Sequence, residues 1–404
     1  MERLISFVGL AACIALAYAL SSNRKSINWK TVVTGVLAQL FFAIIILKTD
    51  LGQSAFASAR DTVKSFLDYS LVGAEFIFGS LASYEKMGFV FFSMVLPTII
   101  FFSSFMSVLY HLGVMQFFIK VMAWFMVKIM GTSGTESLAA AANVFAGQTE
   151  APLVIKPYLK SMTRSELMAM MSGGMATVAG GVLVTYVGMG IDAGHLLAAS
   201  VMSAPAALVC AKLMVPEVEA SNTKGNVSID LKVKSVNVID AASQGAAEGL
   251  KLALNVAAML VAFIALVAFL NGLLGFVGGL FGYSELSFEL IMGYLFSPVA
   301  FLLGAPWKDC FIVGGLLGKK LVLNEFVAYL DLQNQMANLS PRSVIISTYA
   351  LCGFANFSSI AIQIGGIGAL EESKRTVLAE LGMRSLIAGT LACFMTASIA
   401  GILL

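Results

Sequence analysis

The sequence predicts an all-α polytopic membrane protein, and three observations carry that prediction. First, its 404 residues are 59% hydrophobic and only 12% charged, with a mean hydropathy of +0.89. Second, apolar stretches of roughly 17 to 25 residues, enough to cross ~30 Å of hydrocarbon, recur along the whole chain. Third, short polar and glycine-rich interruptions fall at matching places in the two halves. A net charge of +2 without any basic block argues against a nucleic-acid partner.

The first expected span is 4–20. Arg3 and Ala17-Tyr18-Ala19 imitate a cleavable signal peptide, but Arg24, Lys25 and Lys30 follow directly, the flank of a retained helix. A second span covers 30–47. Residues 52–72 place Arg60, Asp61, Lys64 and Asp68 opposite Phe56, Val63, Phe66 and Leu67, the pattern of a helix lying in the interface plane. A third span is expected at 88–111. In Gly113–Gly131, the residues Gln116, Lys120, Trp124 and Lys128 recur every four positions and form one polar stripe, so this is a second interfacial helix.

Next comes NVFAGQTEAPLVIKP, residues 143–157, too polar and too broken to span. Glu136 to Val144 forms a short helix, Gly147 permits a turn, and Gln148 or Thr149 can cap a new helix with Pro152 in its first turn. This is a re-entrant hairpin. Spans at 164–188 and 193–213 follow. Pro216 to Gly245 is polar, and within it Val227, Ile229, Leu231 and Val233 alternate with polar residues, the period of a strand in a linker.

The second half repeats this order. After a span at 250–282 come a third interfacial segment, 286–303 with Pro298 inside it, and a second hairpin. There Pro306 and Gly318 bracket a helix, and Asn324 caps another with Glu325 in its first turn. Spans at 344–366 and 384–404 close the chain. Arg164-Ser165 and Arg342-Ser343 each precede an interrupted span, broken by Gly173, Gly174, Thr177, Gly180 and Gly181 in one case and by Gly353, Asn356, Ser358, Ser359, Gly365 and Gly366 in the other. The expected layout is scaffold 1–111, first repeat 112–215, cytoplasmic linker 216–245, long scaffold helix 246–285 and second repeat 286–404. With both termini outside, more Lys and Arg fall on the cytoplasmic side, so the repeats are inverted.

Paired interrupted segments in inverted halves point to a transport site near the bilayer midplane. Gln148, Thr149, Glu150, Glu325, Asn356 and Ser359 supply acceptors and amides, with Phe354 and Phe357 as an aromatic wall. The set suits a neutral, polyhydroxylated solute carrying a polar heterocycle. Carbonyls at Asn143, Ala146, Thr177 and Val178, with the Asn143 amide and the Thr177 hydroxyl, would suit a hard cation. Lys319 and Lys320 read as snorkelling side chains or structural counter-charges rather than substrate contacts. Cys13, Cys210, Cys310, Cys352 and Cys393 lack metal or disulfide spacing, and His111 and His195 sit near separate helix ends. An enzyme reading would need Glu150 and Glu325 to act as a dyad, so no enzyme is expected.

The motifs GQTEAPLV, NEFVAY and CGFANFSSIA, in this order, resemble those of the bacterial concentrative nucleoside transporters along essentially the whole chain. The resemblance implies a homotrimer of protomers with eight transmembrane helices, three interfacial helices and two re-entrant hairpins, in which a transport domain moves against a scaffold in the bacterial inner membrane. It implies base contacts at Gln148, Thr149, Glu150 and Val182, ribose contacts at Glu325, Asn356 and Ser359 with Phe354 beside them, and a sodium site at Asn143, Ala146, Thr177 and Val178. Thr177 stands where the family also uses serine. The implied function is Na⁺-coupled uptake of nucleosides such as uridine, cytidine or adenosine. A proton-coupled version, or a carrier for another polar solute, is the alternative.

Overall fold

A computed structural model describes residues 1–87, 90–223 and 235–404. The alternating stretch Val227–Val233 and the first two residues of the span expected at 88–111 lie outside these, as do the side chains of Phe56 and Arg60. The described residues form α-helices, short 3₁₀ turns and connections, with no strand among them.

The helices run in order as α1 (Glu2–Ala19), α2 (Trp29–Lys48), α3 (Asp50–Phe78), the single turns α4 (Tyr84–Met87) and α5 (Phe91–Met94), α6 (Leu96–His111) and α7 (Val114–Met130). The first hairpin is α8 (Gly134–Asn143) and α9 (Ala151–Val154), followed by α10 (Arg164–Ala176), α11 (Gly180–Gly188) and α12 (Ala193–Met214). Then come α13 (Val238–Leu280) and α14 (Phe288–Leu303). The second hairpin is α15 (Cys310–Val322) and α16 (Glu325–Gln335), followed by α17 (Pro341–Leu351), α18 (Phe357–Leu370) and α19 (Arg375–Leu403).

Local chemistry sets the ends. Asn28 starts α2 by accepting from the Lys30 N–H at 3.1 Å, and Thr49 starts α3 by accepting from Gly52 at 3.0 Å. Gly113 and Gly131, both left-handed, bound α7 on its expected limits. The helix expected at 52–72 is longer, reaching Phe78, and α13 begins at Val238, so the last polar residues before 245 ride on its first turns.

Among the described residues, seven helical segments are long and apolar enough to cross a membrane: Glu2–Ala19, Trp29–Lys48, Phe91–His111, Arg164–Gly188, Ala193–Met214, Val238–Leu280 and Glu372–Leu403. The stretch expected at 344–366 is instead two short helices parted at 352–356. Burial separates centre from periphery: the Arg164–Gly188 window is 94% buried, whereas that of Val238–Leu280 is 11% buried. At the centre α12 packs on α2, α10 and α19. Its buried Ala, Gly and Ser residues, among them Ala199, Ser203 and Ala207, let those backbones approach closely. At the periphery α13 packs along α6. A Cβ on Gly249 would come within 2.8 Å of the Ile100 Cα, so glycine is what permits that approach.

Candidate functional site

Both hairpins are anchored at their bases by buried polar groups. Ser133 and Glu136 form a reciprocal capping box at the start of α8, and Glu136 also pairs with Lys212 of α12, both side chains being buried. At the other base, Asp309 accepts from the Ser340 and Ser343 hydroxyls at 2.6 Å each. In each case an acid at the hairpin base holds the entrance of the following broken helix, since Lys212 also donates to Ser165 at 2.9 Å. The matching order of elements seen in sequence therefore extends to matching anchors.

The first tip occupies 144–150. Gly147 opens the turn expected there, its carbonyl accepting from the Glu150 N–H at 3.0 Å, but without a left-handed φ. Its lack of a side chain serves close approach instead, because a Cβ would lie 3.2 Å from the Ala179 Cβ. The Phe145 carbonyl accepts from the Gly180 N–H at 3.0 Å, tying the tip to the break between α10 and α11. The expected cap also differs. Glu150, not Gln148 or Thr149, occupies the N-cap position of α9, without a side-chain capping bond, and its carboxylate instead turns back to accept from the Gly147 N–H at 3.0 Å. Glu150 and Thr149 are exposed, whereas Gln148 is 8% exposed.

The second tip follows its sequence reading more closely. The Asn324 side chain accepts from Val327 N–H at 2.9 Å, which places Glu325 at the first position of α16. Gly318 lies inside α15 rather than ending it, since buried packing against Met292 suits a residue without a side chain. Glu325 is 4% exposed. One of its oxygens accepts from the Tyr186 hydroxyl at 3.2 Å and the other from the Asn356 amide at 3.1 Å. A buried carboxyl is tolerated when donors of this kind meet it.

The two broken helices meet at their breaks. The first is interrupted only at 177–179 and the second only at 352–356, so Gly173, Gly174, Gly365 and Gly366 are helical, contrary to expectation. The Phe354 N–H donates to the Thr177 carbonyl at 3.1 Å. Gly353 permits this contact: its φ is +159°, and a Cβ there would lie 2.6 Å from the Cys393 sulfur. Asn356 then caps α18 by accepting from the Ser359 N–H at 3.0 Å.

From that cap, α18 joins both tips. Asn356 reaches Glu325 of the second hairpin, while the Ser359 hydroxyl accepts from Gln148 of the first at 3.0 Å. The structure thus brings Gln148, Ser359, Asn356 and Glu325 into one connected set. Val182 is buried on α11 and Phe354 is half-buried beside the break. Thr149 approaches α18 at Gly366, and Phe357 points outward at 46% exposure.

Asn143, Ala146, Thr177 and Val178 are all buried at the first tip and first break. Both amide atoms of Asn143 lack a hydrogen-bond partner, an unusual state for a group 1% exposed. The Thr177 hydroxyl donates to the Gly173 carbonyl at 2.8 Å, leaving its lone pairs available. Among the described residues no group of three His, Cys, Asp or Glu could hold a metal ion. A cation here would need neutral oxygens, and this set supplies them.

Two residues escaped the sequence reading. Tyr186 donates to Glu325 and stacks near Tyr329, with ring centroids 4.2 Å apart. Gln363 donates to Gln148 at 3.0 Å. Helical spacing carried the signal for both, because each lies four residues after a candidate, Val182 and Ser359 respectively. Lys319 pairs with Asp331 at 2.8 Å and Glu289 at 3.2 Å, the counter-charge role expected of it, whereas Lys320 is buried and donates to the Ala350 carbonyl at 2.8 Å. The five cysteines are free and buried.

Comparison with known proteins bears on the whole chain. A family model described as the C-terminus of Na⁺-dependent nucleoside transporters matches residues 195–401, and one for their N-terminus matches 8–81. A third, described as nucleoside recognition, matches 92–193. An uncharacterised transporter of Haemophilus influenzae is 47% identical, covering 100% of this chain and 98% of that protein. Sodium/nucleoside cotransporter 1 of Mus musculus is 43% identical over 100% of this chain, which spans 64% of that longer protein. The structure of CNTnw in an inward-facing, substrate-bound state superposes with a TM-score of 0.94 at 45% identity, covering 100% of this chain and 98% of that one. A doubly substituted CNTnw in an outward-facing state gives 0.96 at the same identity and coverage.

Proposed function

Because this chain belongs to the Na⁺-dependent nucleoside transporter family of multi-pass membrane proteins, and so to transporters rather than enzymes, we propose that it is a secondary active symporter importing nucleosides with Na⁺. The observation that carries this reading is the connected set at the start of α18, where Asn356 holds Glu325 and Ser359 holds Gln148. Both hairpin tips and both helix breaks converge there, as a midplane transport site requires.

In this reading Gln148, Thr149, Glu150 and Val182 face the base. Glu325, Asn356 and Ser359 bind ribose hydroxyls, and Phe354 packs beside the sugar. Carboxylate oxygens are strong acceptors for such hydroxyls. Substrate would compete for hydrogen bonds that already exist, so binding exchanges partners rather than filling bare groups. Sodium would sit among Asn143, Ala146, Thr177 and Val178, and the unpartnered Asn143 amide supports a cation over the proton-coupled alternative. One Na⁺ moving down ~100 mV and a tenfold gradient supplies about 3.7 kcal/mol, enough for accumulation of a few hundred-fold.

The finer architecture belongs to the same proposal. Eight spans, three interfacial helices (α3, α7 and α14) and two re-entrant hairpins form inverted repeats at 112–215 and 286–404. The scaffold comprises 1–111 and the long helix that begins at Val238 rather than at 246, and the linker shortens to 216–237. Protomers associate as homotrimers in a bacterial inner membrane with both termini outside. Alternating access comes from movement of the hairpin-bearing part against the scaffold. Radiolabelled uridine uptake into proteoliposomes, under inward Na⁺, K⁺ or proton gradients, tests the function. Uptake with Na⁺ alone is expected, and proton-driven uptake would leave the Asn143 group without a coupling role.

A further inference from the structure

Gln363 lies on α18, one turn beyond Ser359, and is 1% exposed. Its Nε2 donates to the Met171 carbonyl at 3.1 Å and to the Gln148 Oε1 at 3.0 Å. The Gln148 Nε2 in turn donates to the Ser359 hydroxyl at 3.0 Å. A backbone carbonyl can only accept, so the Gln363 amino group must face Met171. That orientation holds even though it leaves the Gln363 Oε1 buried without a partner. Reversal would press this oxygen against the Met171 carbonyl, whichever way Gln148 turned.

Gln148 has no freedom left once Gln363 is fixed. It must turn its oxygen to the Gln363 amino group and its own amino group to Ser359. The Ser359 hydroxyl can donate or accept, so it imposes no direction of its own. Gly174 allows the two glutamines to meet, because a Cβ there would come 2.8 Å from both the Gln148 Cβ and the Gln363 Nε2. We infer that Gln363 is a positioning residue that sets the donor–acceptor polarity of Gln148, and through it the edge of the nucleobase that the site prefers. This rests on the proposal that Gln148 faces the base.

Uridine and cytidine offer a direct probe. Uridine presents an N3–H donor beside an O4 acceptor, and cytidine presents an N3 acceptor beside an N4 amino donor. A fixed Gln148 amide discriminates between these patterns, and a freely turning one does not. In Gln363→Glu, the new carboxyl would accept from the Gln148 amino group whether ionised or protonated toward Met171, so Gln148 would turn over. Gln363→Met would remove the constraint.

The experiment is proteoliposome uptake of uridine, cytidine and 2′-deoxyuridine under one gradient, for wild type, Gln363→Glu and Gln363→Met, with Gln148→Ala alongside. The uridine-to-cytidine ratio should shift by about tenfold in Gln363→Glu and move toward unity in Gln363→Met. The uridine-to-2′-deoxyuridine ratio should move far less, since Glu325 and Asn356 are untouched and only the Ser359 hydroxyl must reorient toward Gln148. Ratios are internal to each variant, so a loss of folded protein lowers all three rates together. An unchanged uridine-to-cytidine ratio in both Gln363 variants, with a changed one in Gln148→Ala, overturns the inference and leaves the function standing. A wild type that takes up none of the three overturns the proposed function and the inference with it.

Discussion

Glu150 and Glu325 look like counterparts in sequence, each an acid at the tip of a short hairpin, yet the structure gives them different surroundings. Glu325 is 4% exposed and held by two donors from two other helices, Tyr186 of α11 and Asn356 before α18. Glu150 is exposed, and its named contact is with the Gly147 N–H three residues earlier in its own turn. One acid is fixed by tertiary structure, and the other by its own loop. Removing Glu325 therefore disturbs the meeting point of both halves, whereas removing Glu150 disturbs one turn.

The largest expected effect follows from that contrast. Glu325→Gln should lower nucleoside uptake by about a hundredfold or more, because a carboxylate acceptor is lost and an amino group is set against either Tyr186 or Asn356. Uptake rates with size-exclusion profiles check this, and wild-type rates in an intact assembly would break the comparison. Glu150→Gln should cost about tenfold, chiefly as a changed preference among bases, because solvent compensates an exposed group. A loss as deep as that of Glu325→Gln would show that the two tips carry equal loads. The smallest effect is expected for Tyr186→Phe, which removes one of two donors to Glu325 and should raise KM about three- to tenfold. Uridine saturation curves for that variant sharpen the contrast, and an unchanged KM would mean that Asn356 alone positions the carboxyl.

Much of the helical layout was legible because length and hydropathy report directly on membrane spans, and α7 fell between Gly113 and Gly131 as expected. Hairpin positions were legible because Pro152, Gly147 and Asn324 break or cap helices wherever they stand. Glycines were read less well. Gly173, Gly174, Gly318 and Gly366 are helical, since close packing on Asn143, Gln148, Met292 and Thr149 overrides a weak local propensity. The N-cap position of Glu150 left no signal because its side chain bends back to Gly147 instead of capping α9. Helical spacing from Val182 and Ser359 places Tyr186 and Gln363 on the right faces, but their partners lie 139 and 215 residues away, a pairing that no local pattern encodes.

The central claim is that one ion site and one nucleoside site share the first tip and the helix breaks. If so, Na⁺ and nucleoside must raise each other's affinity by the same factor. The most direct measurement is uridine binding by titration calorimetry at rising Na⁺, with choline replacing it, for wild type and Asn143→Ala. Uridine affinity should rise about tenfold or more with Na⁺ in the wild type and stay nearly flat in the variant. An equal rise in both proteins would move the ion site away from Asn143, and no rise in the wild type would contradict the coupling itself.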